Sequence, residues 1–195
     1  MEVTVDIQDR RVRRTQHLLA KALIALTLEK GYEAVTIRDI TERADIGYAT
    51  FFRHYHHKDE LLQDVLDVVL TELIDLLSPA IPNTDDPTTV GVLLFRYVQQ
   101  QSEVVRVLIR SHTLLQRIIK IATQNIVKEH APLPDSIVPL EIAAHHIVTA
   151  SISLIQWWLD SQMPYPPERM GAIYYELITR PTGEVAFLAQ REDKQ

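Results

Sequence analysis

Residues 36–62, TIRDITERADIGYATFFRHYHHKDELL, constrain this chain's architecture more than any other stretch. Thr36 is a good helix N-cap, and Asp39 three residues later completes a variant of the capping box. The helix opened there, IRDITERA, places Ile37, Ile40 and Ala44 on one buried face. Gly47 follows in a turn, where a missing side chain permits tight reversal. YATFFRHY then reads as a third helix, broken by HHKD. Two short helices around a glycine-containing turn are the helix-turn-helix unit, whose second helix can enter a DNA major groove.

The flanking sequence is helical as well. Leu19, Ala22, Leu23 and Leu26 repeat at the spacing of one apolar helix face, which predicts a first helix over about residues 10–30 that stops at Gly31. Leu62, Val65, Leu66, Val69 and Leu73 predict a fourth helix ending before Pro79. SPAIPNTDDPTT, residues 78–89, has three prolines and two aspartates and reads as a linker. Beyond it, helices are expected near 89–101, 103–110, 112–130, 139–160 and 167–179. The fold class is therefore all-α, with about nine helices: a three-helix helix-turn-helix domain followed by a larger helical domain. The expected division is an arm at 1–9, the helix-turn-helix at 10–57, a connecting helix at 58–77 and the larger domain at 78–195.

The 195 residues suffice for a real core, and the net charge of −6 taken as a total is unsuited to a polyanion. Its distribution says otherwise. From Arg10 to Lys58 there are ten Lys/Arg against five Asp/Glu, while from Gln63 onward there are ten against sixteen. A basic first quarter on an acidic body is the asymmetry expected when one end meets an anionic polymer. There is no cysteine, so disulfides, thiolate metal sites and cysteine nucleophiles are excluded. The first residues lack the apolar core of a secretory signal, and a cytoplasmic location fits. Ile142–Leu159 carries no charged residue across eighteen positions, but its histidines, hydroxyls and Gln156 mark a helix buried in protein rather than a membrane span. A partner subunit is one way to cover it.

Side-chain chemistry divides the 36–62 stretch further. Phe51 and Tyr55 lie four apart and share an inward face, whereas Tyr48 and Phe52 share an outward one. Tyr48, Ala49 and Thr50 open the third helix, where a recognition helix meets base edges. Ala49 lets the helix approach closely, and its methyl can meet thymine. Thr36, Thr50, Arg53, His54 and Lys58 are candidates for phosphates. His54, His56 and His57 do not form a convincing metal site, because two of them are adjacent in a turn. No glycine-rich phosphate loop, GxSxG elbow or HExxH is present, so no enzyme, metal or cofactor is expected.

KGYEAVTIRDITERADIGYATFFRHYHHKDELL resembles the DNA-binding domain of the TetR/AcrR family of bacterial transcriptional regulators. The resemblance covers the glycine closing helix 1, the threonine opening helix 2, ITERA, the glycine turn, FFRHY and the lysine-acid pair opening helix 4. Where many relatives carry serine and then a basic residue, this chain has Gly47-Tyr48, which bears on base preference. IQWWLDSQMPYPPERMGAIYYELI resembles the closing segment of several members, whose last two long helices form a four-helix bundle with a second subunit.

The resemblance implies a homodimeric regulator, most often a repressor, released from a palindromic double-stranded DNA operator by a small-molecule effector. The residues expected at DNA are Thr36, Arg38, Gly47, Tyr48, Ala49, Thr50, Phe52, Arg53, His54 and Lys58. A ligand pocket is expected from Tyr97, Val104, Leu108, His112, Leu115, His145, Thr149 and Trp157, which mix apolar and polar groups on expected inner faces. The dimer interface is expected from Ile152, Ile155, Met170, Ile173 and Leu177. The competing class is a helical protein-interaction module without specific DNA binding, against which the basic first quarter counts.

Overall fold

Helix α1 spans Val3–Lys30 and stops at Gly31, whose φ of 81° lies in the left-handed region that glycine reaches without strain. The computed structural model describes residues 3–78 and 86–187, with side chains from Arg10 onward. Most of the expected linker, residues 79–85, lies outside the described residues. The first helix starts earlier than expected. No glycine or proline interrupts VTVDIQDRR, so helical backbone continues to Val3 through most of the expected arm.

The chain divides into two units, Met1–Val69 and Leu70–Gln195, so the boundary falls inside the connecting helix rather than at its ends. In the first unit α1 is followed by a 3-10 turn, Tyr32–Ala34, then α2 (Ile37–Ala44), α3 (Tyr48–Phe51) and the start of α4 (Lys58–Leu77). Leu19 and Leu23 of α1, Ile40 of α2, Phe51 of α3, and Leu61 and Leu66 of α4 are fully enclosed. Two polar links hold α2 against α1: Arg43 donates twice to the Glu29 carboxylate at 2.9 and 2.6 Å, and Lys30 reaches Asp39 at 2.8 Å.

The reversal between α2 and α3 is not built on its glycine. Asp45 takes the left-handed conformation, φ 55°, ψ 44°, while Gly47 is extended at φ −60°, ψ 136°. An aspartate tolerates that region better than most residues. The third helix is also shorter than its eight-residue pattern. Beyond Phe51 the amides of Arg53 and His54 bond carbonyls three residues back, at 3.1 and 2.9 Å, and regular α-helix ends.

The second unit contains the end of α4, then α5 (Thr89–Gln100), α6 (Ser102–Arg110), α7 (His112–Glu129), α8 (Leu140–Asp160) and α9 (Pro167–Tyr174). A five-residue π segment, Tyr175–Thr179, joins α9 to α10 (Arg180–Ala186). Pro181 explains the widened turn, because proline cannot donate and crowds the carbonyl four residues back. Counting residues 167–186 as one helix, the described residues contain nine α-helices, with a lone antiparallel bridge between Pro132 and Phe187.

Phe95 centres this core, edge-on to Trp158 at 5.2 Å and to Tyr174 at 6.3 Å between ring centroids. Trp158 Nε1 donates to the Tyr165 carbonyl at 2.9 Å, so its polar atom is satisfied within the core. Helices α5 and α9 meet backbone to backbone at Gly91 and Gly171. A Cβ on Gly171 would stand 2.5 Å from Val92 Cγ2 and 2.6 Å from the Val92 amide nitrogen.

Helix α8 buries Ala143, Ala144, Ile147, Val148, Ile155, Trp158 and Leu159. It exposes Ile142, His145, His146 and Trp157, so it is amphipathic rather than buried on all sides. No helix among the described residues is long and apolar enough to cross a membrane.

Candidate nucleic-acid interface

The exposed end of the first unit is assembled by two helix starts and the turn between them. Thr36 caps α2 reciprocally: its Oγ1 accepts from the Asp39 amide at 3.1 Å, and its own amide donates to Asp39 Oδ2 at 2.8 Å. The Thr36 hydroxyl also donates to that oxygen at 2.7 Å. Both functions of the hydroxyl are therefore engaged within the cap. The groups left to face outward at this helix start are amides of the first turn, which have no carbonyl partner inside the helix. Lys30 and the cap bonds hold the Asp39 carboxyl well below its ordinary range.

Four aromatic rings run from the core to the surface along α3. Tyr55 and Phe51 are buried, at 5.8 Å, with the Tyr55 hydroxyl donating to Asp64 Oδ2 at 2.6 Å. Phe51 meets Phe52 edge-on at 5.4 Å, and Phe52 meets Tyr48 edge-on at 5.2 Å. Tyr48 and Phe52 are 56% and 47% exposed, the outward pair expected from their four-residue spacing. Gly47, Ala49 and Arg53 are exposed beside them, whereas Thr50 and His54 are half-buried. Arg38, Thr41, Glu42, Asp45, Ile46, Gly47 and Tyr48 line an adjacent cleft of about 590 Å³.

The charge is more committed than its total suggests. Arg38 Nε is paired with Glu42 at 2.9 Å, and Arg43 and Lys30 are held by Glu29 and Asp39. The cleft carries the Glu42 and Asp45 carboxylates, which repel phosphate. Arg53, exposed and without a side-chain partner among the described residues, is the cation placed beside the outward rings.

Lys58, expected at a phosphate, has its ammonium turned inward in the subunit. Its ammonium donates to the carbonyls of Tyr32 at 2.8 Å, Val35 at 2.9 Å and Glu33 at 3.4 Å. An ammonium has three protons, and all have acceptors inside the protein. The neighbouring histidines cap α4: His57 Nδ1 accepts from the Glu60 amide at 3.1 Å, while the Glu60 carboxylate accepts from the His56 amide at 2.7 Å. Among the described residues no three His, Asp or Glu side chains are grouped to hold a metal ion.

The expected C-terminal sites fare less evenly. Tyr97 and Leu108 are buried, the Tyr97 hydroxyl donating to Glu72 Oε2 at 2.9 Å. Val104, Leu115 and Thr149 are half-buried, and Thr149 Oγ1 returns to the His145 carbonyl at 2.8 Å. His112, His145 and Trp157 lie on the surface, so they cannot wall an enclosed pocket within one subunit. Of the expected dimer residues, Met170 and Ile155 belong to the subunit's own core; Ile152 and Ile173 are half-buried, and Leu177 is 67% exposed. Periodicity identified these apolar stripes, but the chain itself covers part of them. Ile142 and Trp157, not included in the expected interface, add exposed apolar surface on α8.

Comparison with known proteins supports the same architecture. Residues 19–65 match the family described as bacterial regulatory proteins, tetR family, and residues 85–180 match a transcriptional regulator C-terminal region. YxbF of Bacillus subtilis, an HTH-type transcriptional regulator, is 28% identical over 187 residues, covering 87% of this chain and 46% of that protein. The chain thus spans about half the length of that curated relative. A TetR regulator from Streptococcus agalactiae superposes with a TM-score of 0.64 at 19% identity, covering 89% of this chain and 98% of that one. SmeT, the repressor of the SmeDEF efflux pump of Stenotrophomonas maltophilia, superposes with a TM-score of 0.68 at 14% identity, covering 90% and 91%. With both units matched in order, this chain belongs to the TetR/AcrR family of bacterial transcriptional regulators.

Proposed function

We propose that the chain is a cytoplasmic DNA-binding repressor that holds a palindromic operator as a homodimer and releases it when a small organic ligand binds the C-terminal unit. The observation that carries this reading is the outward face of α3. Tyr48, Ala49 and Phe52 are exposed on a one-turn helix beside a capped helix start and Arg53. Nothing in the subunit's own core requires those rings outside. Each subunit would place α3 in one major groove, with half-sites about one helical turn or a multiple apart.

For the dimer, the support is exposed apolar surface on α8 and the last helix at Ile142, Trp157 and Leu177. For the ligand, it is α7, where Leu114 is the one buried residue and Thr123 Oγ1 is enclosed without a hydrogen-bond partner among the described residues. SmeT, which shares the fold, forms a complex with triclosan. A ligand can shift the DNA-binding equilibrium only by its differential affinity for the two states.

The test is selection of bound duplexes from a random pool, followed by fluorescence anisotropy against salt. The expected result is an enriched palindrome bound at least about a thousandfold more tightly than random DNA. Binding that is weak and indifferent to sequence overturns the reading. A thermal-shift screen should then find a compound that raises the melting temperature and lowers operator affinity. Stabilising compounds that never change DNA affinity would leave a binding site without a switch.

A further inference from the structure

The outward face of α3 has an unusually narrow chemical vocabulary. Paired hydrogen bonds to guanine come from Arg or Lys, those to adenine from Asn or Gln, and the cytosine amino group is met by Asp or Glu. From Gly47 to Phe52 the sequence GYATFF contains none of these. The nearest reader from α2, Arg38, is paired with Glu42. Thr50 is half-buried, its Oγ1 only 3.5 Å from where a Cβ on Gly47 would lie, so its hydroxyl is turned back toward the turn. The Tyr48 hydroxyl is a single donor and acceptor that cannot form a bidentate pair.

What remains on α3 itself is apolar, the Ala49 methyl and the Tyr48 ring; Arg53 lies beyond the C-cap Phe52, at the far end of the helix from the residues that open it. The Tyr48 ring packs edge-on against Phe52, which packs edge-on against the fully enclosed Phe51. A surface aromatic held this way meets a groove with little ordering left to do. Among the groups that base pairs present in the major groove, the apolar one is the 5-methyl of thymine.

We propose that this protein reads its half-site chiefly through thymine methyl groups, with Ala49 and Tyr48 as the specificity-determining contacts. The inference rests on the reading above that α3 enters the major groove. It names the base chemistry that the groove must present.

The test uses the full chain and the duplex recovered by random selection. Each thymine of one half-site is replaced in turn by deoxyuridine, which removes the methyl and leaves pairing and charge intact. At one or two thymines, affinity should fall about threefold to tenfold, the scale of a buried methyl group. Ala49→Gly or Tyr48→Ala should reduce that loss to under about twofold at its own thymine, and both variants should fold, since these side chains are exposed. Affinity unchanged at every deoxyuridine overturns the proposal while leaving sequence-specific binding intact. Variants as sensitive to deoxyuridine as the parent overturn the assignment to Ala49 and Tyr48. A selection that enriches no sequence overturns the DNA-reading itself, and this inference with it.

Discussion

The Lys58 ammonium stands 4.4 Å from the centre of the Tyr32 ring. It closes the end of the 3-10 turn by donating to the Tyr32 and Glu33 carbonyls within it and to the Val35 carbonyl just after it, while the Tyr32 hydroxyl donates to Asp59 one residue further along. Burial and the Asp59 carboxylate together push the Tyr32 hydroxyl far above its ordinary pKa, so it stays a donor throughout the working range. Lys58→Met should therefore lower stability by about 1–3 kcal/mol, the scale of lost charge-assisted hydrogen bonds. The salt dependence of DNA binding should not change. A phosphate contact would instead reduce the log–log slope by about 1, so anisotropy at several salt concentrations separates the two roles.

Nothing within the subunit requires glycine at position 47. Its backbone is in a region open to any residue, and a Cβ there would meet only Thr50 Oγ1, at an ordinary 3.5 Å. Gly47→Ala should leave the melting temperature unchanged or raise stability by about 0.4–1 kcal/mol, because the unfolded chain loses freedom. Operator affinity should nevertheless fall several-fold, since the added methyl projects where a groove must approach. An alanine variant with full affinity would show that nothing passes close to this residue.

Gly171 is the opposite case. Its Cβ would collide with the Val92 backbone, which has no rotamer with which to yield. Gly171→Ala should cost at least about 1–3 kcal/mol, as overpacking does. Chemical denaturation should show an early loss of the second unit, and Gly91→Ala, facing Gly171 O at 2.8 Å, should behave alike.

Acid should weaken the α2 cap. The folded-state pKa of Asp39 lies below its ordinary value of 3.8, first through Lys30 and then through Thr36. A depressed carboxyl contributes stability that is complete above its unfolded value and is lost as pH falls through the folded one. Unfolding followed from pH 6 downward should therefore steepen below about pH 4, and Asp39→Asn should flatten that slope while lowering stability at neutral pH.

Two arginine substitutions separate core from subunit contact. Met170→Arg should prevent folding, because Met170 is fully enclosed. Leu177→Arg, on a residue 67% exposed, should leave the subunit folded and move light scattering toward the monomer mass. A Leu177→Arg variant that remains dimeric places the subunit contact elsewhere.

The α2–α3 end of the first unit was the most legible in the sequence, since side-chain direction on a short helix follows from spacing alone. Tyr48 and Phe52 outward, Phe51 and Tyr55 inward, and the Thr36–Asp39 cap all follow from intervals of three or four residues. What spacing could not reveal was pairing over distance. Lys58 finds its acceptors 23 to 26 residues earlier, and Arg43 finds Glu29 14 residues earlier. Nor can an apolar stripe say what covers it: Met170 and Leu177 belong to one periodic pattern, yet one is enclosed and the other bare. The reversal was expected at Gly47 because Asp45 and Gly47 both suit turns, but local hydrogen bonding puts the left-handed residue at the aspartate.

The contact of Gly91 with Gly171 also has a mechanical meaning. Most helix pairs touch through side chains, which give each interface some slack as rotamers change. At this crossing backbone meets backbone, with only the Val92 and Tyr174 side chains flanking the contact, so α5 has little room to slide along α9. The joint acts as a fulcrum. Motion within the C-terminal unit must then be taken up away from this crossing.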